Sequence, residues 1–179
     1  MKPIPLLFLV VALAGPGCAS ATYPTALPTV ADAVSPAPGI VSAGRLDADD
    51  ISRVRDAGIR HVIDLTLDAE TPDFDEAAAV RAAGLLYSNL PLRGAVDLTR
   101  ENVMAFDAIV RDAKRPVLVH CASGNRVGAM AALRAAWVDG KEADEAIAIG
   151  RTWGLKGLEE EVRRRIEADA SQARSKVPG

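Results

Sequence analysis

At 179 residues the chain has length for one domain or at most two, and 49% hydrophobic against 25% charged residues excludes a disordered acidic or basic tail protein. Lys and Arg number 21 against 24 Asp and Glu, a formal net charge of −3, which gives no support for a nucleic-acid-binding surface. Two cysteines are too few for a disulfide scaffold, and an aromatic content of 4% leaves an aliphatic core suited to helices packed on a sheet.

Lys2 precedes a short apolar run, Leu6 to Ala14, well below the roughly 20 residues that span a bilayer. With Ala19-Ser20-Ala21 as a small-x-small cleavage pattern, residues 1–21 read as a secretory signal, so an exported chain would begin at Thr22. Gly17-Cys18-Ala19 also resembles a bacterial lipoprotein processing site, and Cys18 would then be a membrane tether. Either way the expected compartment is periplasmic or extracellular, with Cys121 the one free thiol left. Thr22 to Gly39 holds four prolines and reads as a linker. The domain is expected over 40–168, with a polar tail over 169–179.

Within the domain, short β-rich runs alternate with amphipathic helices. Ile40–Ala43 is a first strand, and Asp47–Ala57 a helix with Asp in its first turn and Gly58 as its stop. His61–Leu65 is a strand, Asp73–Ala83 a helix closed by Gly84, and Tyr87–Leu90 a short strand. Thr99 is an N-cap for a helix carrying Val103, Phe106, Ile109 and Val110 on one side. Val117–His120 is a compact buried strand, and helix resumes near Arg126 and stops at Gly140. Two further helices are expected, Glu142–Trp153 and Leu158–Ala168. This alternation predicts an α/β fold: a mainly parallel central sheet with helices on both faces.

The informative stretch is His120-Cys121-Ala122-Ser123-Gly124-Asn125-Arg126, between a buried strand and a helix start, where parallel sheets place ligands. A helix N-terminus offers unpaired N–H groups and a positive dipole end, and Ala122, Ser123, Gly124 and Asn125 are small enough for the backbone to curl around an anion. The same field favours thiolate over thiol at Cys121. Arg126 can grip two oxygens of a tetrahedral oxyanion, and an Arg in a first helical turn opposes the dipole unless an anion compensates. The bland alternative is a buried small Cys121, a solvated Arg126 and turn-forming Ser123 and Gly124.

His-Cys, small residues with a Gly, then Arg opening a helix resembles the phosphate-binding loop of cysteine-dependent protein phosphatases of the compact dual-specificity type. It is most similar to the bacterial phosphatase-like domain that occurs alone or fused to metallo-β-lactamase-like hydrolases. Val41–Gly44, Val62–Leu65, Tyr87–Pro91 and the Thr99 helix extend the resemblance over most of the domain. It implies a dual-specificity/tyrosine phosphatase-like fold with Cys121 as nucleophile, a phosphocysteine intermediate, and the 122–126 amides with Arg126 as oxyanion clamp. His120 would order the loop or favour the thiolate. No metal or cofactor is implied.

Three features depart from that pattern. Four residues, not the usual five, separate Cys121 from Arg126; Val127 stands where a hydroxyl residue usually follows; and the nearest candidate general acid is Asp97, 24 residues upstream. Asp97 reads equally as a charge favouring the next helix N-terminus. Without an acid, only esters with good leaving groups should turn over well. The short loop also resembles that of rhodanese-type sulfurtransferases, which carry a cysteine persulfide. The substrate is therefore phosphorylated or a sulfur donor, and a non-catalytic anion-binding or interaction domain is a third reading.

Other polar residues read as structural. His61 sits in a strand, and with two His and no Cys cluster there is no zinc-ligand spacing. Trp137 and Trp153 fall on core faces of helices. Arg163–Arg165 follow Glu159–Glu161, and i,i+4 pairing (Glu159–Arg163, Glu160–Arg164, Glu161–Arg165) predicts a solvated helix face.

Overall fold

The computed structural model describes residues 27–175; the expected signal and Cys18 lie outside them. In chain order the elements are β1 (Val34–Ala37), β2 (Ile40–Ala43), α1 (Ala48–Asp56), β3 (His61–Asp64), α2 (Glu76–Ala82), β4 (Leu86–Asn89), α3 (Arg100–Asp112), β5 (Val117–His120), α4 (Asn125–Trp137), α5 (Ala143–Thr152) and α6 (Glu159–Ser175). Short 3₁₀ turns at Asp68–Glu70 and Ala95–Asp97 interrupt the loops before α2 and α3.

The strands form one sheet in the order β1-β2-β5-β3-β4, parallel except for the antiparallel β1–β2 edge. Side chains alternate across it. Val117 and Val119 of β5 enter the core beneath α3–α6, while Leu118 enters the second core beneath α1 and α2. Helices on both faces of a mainly parallel sheet are what the strand–helix alternation predicts.

Local chemistry starts the helices. Asp47 and Asp50 form a reciprocal capping box at α1, Asp75 caps α2 through the Ala78 N–H, and Thr99 caps α3 through the Asn102 N–H. In register, Ala43, His120, Asp64 and Asn89 line up across the carboxyl ends of the four parallel strands. That row is the floor on which the site is built.

Three expected boundaries or pairings are corrected. The linker, placed at 22–39, overlaps the fold: Val34–Ala37 pairs with β2, and the Ala31 carbonyl accepts from the Gly44 N–H. Proline obscures this strand in the sequence, yet edge strands tolerate it because they leave one side of the ladder unused. The polar tail, placed at 169–179, begins inside α6, which continues to Ser175. Of the expected Glu–Arg pairs on α6, Glu161–Arg165 is present at 2.6 Å, but Arg163 bonds Asp144, Arg164 bonds Glu161, and Glu159 bonds Arg151. For Arg163 and Glu159 a partner on packed α5 outcompetes the one a turn along α6, while Arg164 takes Glu161 at i,i−3 instead of Glu160 at i,i−4.

α4 is the central helix and packs closely on α5. A Cβ built on Gly128 would sit 2.0 Å from the Leu155 nitrogen and 2.7 Å from the Gly150 carbonyl oxygen, both rigid backbone. Gly128→Ala is expected to destabilise the fold by about 2–3 kcal/mol, because the helices must part to admit the methyl group. Urea denaturation measures this; a variant within 0.5 kcal/mol of the parent (roughly the scatter of surface substitutions) would contradict so tight a contact.

Candidate active site

The site is the junction β5–loop–α4. Val117–His120 forms a strand because its apolar residues fill both cores, and the chain then turns through Cys121–Gly124 into α4. Gly124 is the N-cap residue, in the left-handed region at φ 76°, a conformation glycine adopts without a Cβ penalty. It provides no side-chain cap, and the first turn of α4 contains no acidic residue. The first-turn N–H groups therefore lack both intrahelical and side-chain acceptors, and the positive end of the helix is open to an anion.

Cys121 and Arg126 line one cleft of about 500 Å³, together with Ser123, Asn125, Glu70, Arg93 and the apolar walls Leu67 and Leu158. Cys121 lies at its base, 1% exposed. Asn125 ties the loop down: its Oδ1 accepts from the N–H groups of Lys156 and Leu158, at 2.8 and 3.3 Å. The Lys156 ammonium reaches the Ser123 carbonyl at 3.2 Å. Ala122 contributes backbone only, its carbonyl accepting from the Arg45 N–H.

Arg126 is not a solvated helix-start charge. It is buried, and its fork meets the Glu70 carboxylate bidentately, Nη1 and Nη2 each at 2.6 Å. Nη1 also donates to the carbonyls of Leu65, at 3.2 Å, and Leu92. Burial opposes the charged guanidinium, but the Glu70 bonds and the adjacent Cys121 outweigh it and hold its pKa above the ordinary value. The same bonds hold the Glu70 carboxyl below the usual range, against a smaller opposing effect of burial and aided by the Leu67 N–H. Arg45, 3.7 Å from Glu70, adds a second positive charge.

His120 is fully buried behind the nucleophile, on the α2 side of the sheet. Its Nε2 donates to Glu76 Oε1 at 2.7 Å and lies 3.4 Å from Asp64 Oδ1. Asp64 in turn accepts from the Thr66 N–H and hydroxyl, both at 2.7 Å, from the Tyr87 hydroxyl at 2.8 Å and from Asn89. Asp64, Glu76 and His120 offer ligand atoms within 4.8 Å of one another, close enough to hold a metal ion. The donor set fits one poorly. A metal-bound imidazole ordinarily donates its other ring N–H to an acceptor, and His120 Nδ1 is buried with no partner. Asp64 Oδ1 is already taken by Thr66. A hydrogen-bonded support for His120 is the better description.

Asp97, the sequence candidate for a general acid, is not among the residues lining the cleft. Its carboxylate accepts three bonds from Arg93, from the main-chain N–H at 2.7 Å and from Nε and Nη2 at 2.9 and 2.7 Å. These hold its pKa down at about 2, so it carries no proton to donate near neutrality. That expectation is corrected: the local Arg93 partner, four residues away, determines the state of Asp97. Glu70, Glu76 and Arg93 are site residues with no local sequence signal. Glu70 and Glu76 meet their partners 56 and 44 positions away, and Arg93, although paired locally with Asp97, reads in the sequence as a solvated loop charge.

His61 is structural, its Nε2 2.9 Å from Ser88 Oγ, with burial lowering its pKa. Trp153 packs edge-on against Phe106, 6.4 Å between ring centroids, and Trp137 lies beneath the Arg100 guanidinium.

Residues 29–138 match the family model described as the phosphatase-like domain of beta-lactamase hydrolase-like protein. The chain belongs to this family. The phosphatase-like domain is 33% identical over 118 residues to the beta-lactamase hydrolase-like protein of Xylella fastidiosa (strain Temecula1), covering 63% of this chain and 27% of that protein. It thus spans about a quarter of its curated relative's length. In fold it is similar to a candidate phosphatase (DUF442) of Shewanella putrefaciens CN-32, with a TM-score of 0.58 and 23% identity over 79% of this chain and 94% of that one. It is also similar to TpbA of P. aeruginosa, solved in complex with pTyr, with a TM-score of 0.55 and 20% identity over 78% and 89% of the two chains. The fold is the tyrosine/dual-specificity phosphatase type, as the loop resemblance implies.

Proposed function

We propose that the phosphatase-like domain hydrolyses phosphoesters through a phosphocysteine intermediate. The observation that carries this reading is the meeting of Cys121, the Arg126 fork and the uncapped N-terminus of α4 in one cleft. Cys121 Sγ, as thiolate, attacks phosphorus in line with the ester oxygen. The P–S bond forms as the P–O bond breaks, and the departing oxygen takes its electron pair and a proton from water. The first-turn amides and Arg126 hold the equatorial oxygens, donors fixed before charge develops and so costing no reorganisation. Water then attacks the phosphocysteine, releasing phosphate and the thiolate.

Among the described cleft residues the one carboxyl, Glu70, is held ionised by Arg126 and so has no proton for the leaving oxygen, and Val127 offers no hydroxyl to the departing thiolate. Aryl phosphates should therefore exceed alkyl phosphates by about 100-fold or more in kcat/KM, the ordinary worth of a positioned acid. The test is 4-nitrophenyl phosphate hydrolysis, with Cys121→Ser as background, beside thiocyanate production from thiosulfate and cyanide. Vanadate-sensitive phosphate release above background is the expected result. Thiocyanate formation with a Cys121 persulfide and no phosphate release would overturn it in favour of sulfur transfer.

The N-terminal segment makes this an exported activity in our reading, either soluble from Thr22 or tethered through a lipidated Cys18. Mass spectrometry of the mature N-terminus distinguishes the two from an uncleaved segment, and an intact Met1 on protein recovered wholly from the cytoplasm would refute export.

A further inference from the structure

The loop between β4 and α3 puts a second guanidinium on the cleft. Arg93 lines it beside Cys121 and Arg126, with a side chain 67% exposed. An exposed arginine ordinarily samples many rotamers, and a surface ion pair rarely fixes one unless its geometry is bidentate. Here it is bidentate. Nε and Nη2 of Arg93 both bond the Asp97 carboxylate, which also accepts the Arg93 main-chain N–H. The loop beneath is pinned in turn. Asn102 Nδ2 donates to the Asp97 carbonyl at 2.7 Å, and Arg165 of α6 donates to the carbonyls of Leu98 and Ala95 at 2.7 and 2.9 Å.

Asp97 occupies one edge of the Arg93 fork, and Nη1 takes part in none of these bonds. Of the other charges on the cleft, Arg126 and Glu70 bond each other. Among the described residues no aromatic side chain lines the walls, so a bound organic group meets Leu67 and Leu158 without a stacking partner there. What the cleft offers beyond the reacting anion is one oriented guanidinium, whose planar donors suit a carboxylate or phosphate.

We propose that Arg93, aimed by Asp97, binds a second oxyanion on the substrate, so that the preferred substrate is a phosphoester bearing a neighbouring carboxylate or further phosphate. The assignment rests on the phosphatase reading for the first anion. Asp97 is then a positioning residue. The probes are 3-carboxyphenyl phosphate, its neutral isostere 3-carbamoylphenyl phosphate, and 1,3-phenylene bisphosphate, each with the parent, Arg93→Gln and Asp97→Asn. Affinities are also measured by calorimetry on Cys121→Ser with and without Arg93→Gln, so absence of turnover defeats the phosphatase reading while this one is still decided.

The parent should favour at least one doubly anionic probe over the neutral one by about tenfold, expressed in KM more than kcat. Arg93→Gln should remove that preference and Asp97→Asn should weaken it, with the shape of the kcat–pH profile retained. Which of the two anionic probes gains identifies carboxylate or phosphate as the second group. Equal affinity for all three probes, unchanged by Arg93→Gln, overturns the proposal. Loss of a basic limb in Asp97→Asn, heaviest for poor leaving groups, would return Asp97 to the role of acid and overturn its positioning role.

Discussion

Arg126→Lys is expected to lower kcat/KM for 4-nitrophenyl phosphate by about 10³-fold, and Cys121→Ser to bring turnover to background. Cys121 supplies the electron pair, so serine, without a thiolate, removes the reaction path. The Arg126 loss follows from geometry. Its guanidinium holds the scaffold through Glu70 and the carbonyls of Leu65 and Leu92, and would hold the equatorial oxygens with its remaining donors. A lysine ammonium is a single point donor and cannot span both. With the ammonium turned to the phosphate, Glu70 would lose its bidentate partner and present a less compensated carboxylate, with Arg45 at 3.7 Å, where a phosphate dianion must enter. The vanadate inhibition constant should rise with the loss in kcat/KM, and a lysine variant within tenfold of the parent would remove Arg126 from the anion site.

The clamp also has a pH sign. Glu70 has a folded pKa below its unfolded value, chiefly through its bonds to Arg126. Its contribution to stability is therefore present above the ordinary carboxylate range and is lost as pH falls through the depressed folded value. Glu70→Gln should flatten this part of the acid-unfolding curve, measured by circular dichroism; an unchanged curve would show that the pair does not report on folding.

The sequence is most legible where one residue's own chemistry decides the outcome. Asp47, Thr99 and Gly84 mark helix ends because each acts within four residues of itself, and the continuous apolar run Val117–Val119, buried on both faces, is local to the strand. The Cys121–Arg126 loop is legible for the same reason, since nucleophile, turn and clamp are contiguous. What stays hidden is long-range. Glu70 meets Arg126 across 56 positions and Glu76 meets His120 across 44, and no local pattern distinguishes these carboxylates from solvated ones. Asp97 shows the converse: its separation from Cys121 suggested an acid, while Arg93, four positions away, determines what it does. β1 was concealed by the prolines flanking and within it, since an edge strand needs only half its backbone groups.

Asp64→Ala is expected to cost about 3–5 kcal/mol, the scale for removing one partner from a buried charged network. Asp64 is 4% exposed and is the common acceptor for the Thr66 N–H and hydroxyl, the Tyr87 hydroxyl and Asn89, with His120 Nε2 at 3.4 Å. Alanine leaves the Thr66 N–H and hydroxyl and the Tyr87 hydroxyl without this acceptor, each costing about 1–3 kcal/mol before water offsets part of it, while Asn89 keeps the carbonyls of Asp64 and Thr66 and His120 keeps Glu76. Such water has access, because Asp64, Glu76 and Tyr87 border a cavity of about 330 Å³. Asp64→Asn keeps one carbonyl oxygen and should lose less than half as much. Tyr87 supplies a signature independent of unfolding. Burial first, and the Asp64 charge and hydrogen bond next, push its pKa well above the ordinary phenol value. In Asp64→Ala the phenol should ionise at lower pH, though still above the ordinary value because burial remains; phenolate absorbance follows it. Stability matching the parent, with Tyr87 titration unmoved, would mean that the row of polar side chains across the strand ends is not what supports His120 behind the nucleophile.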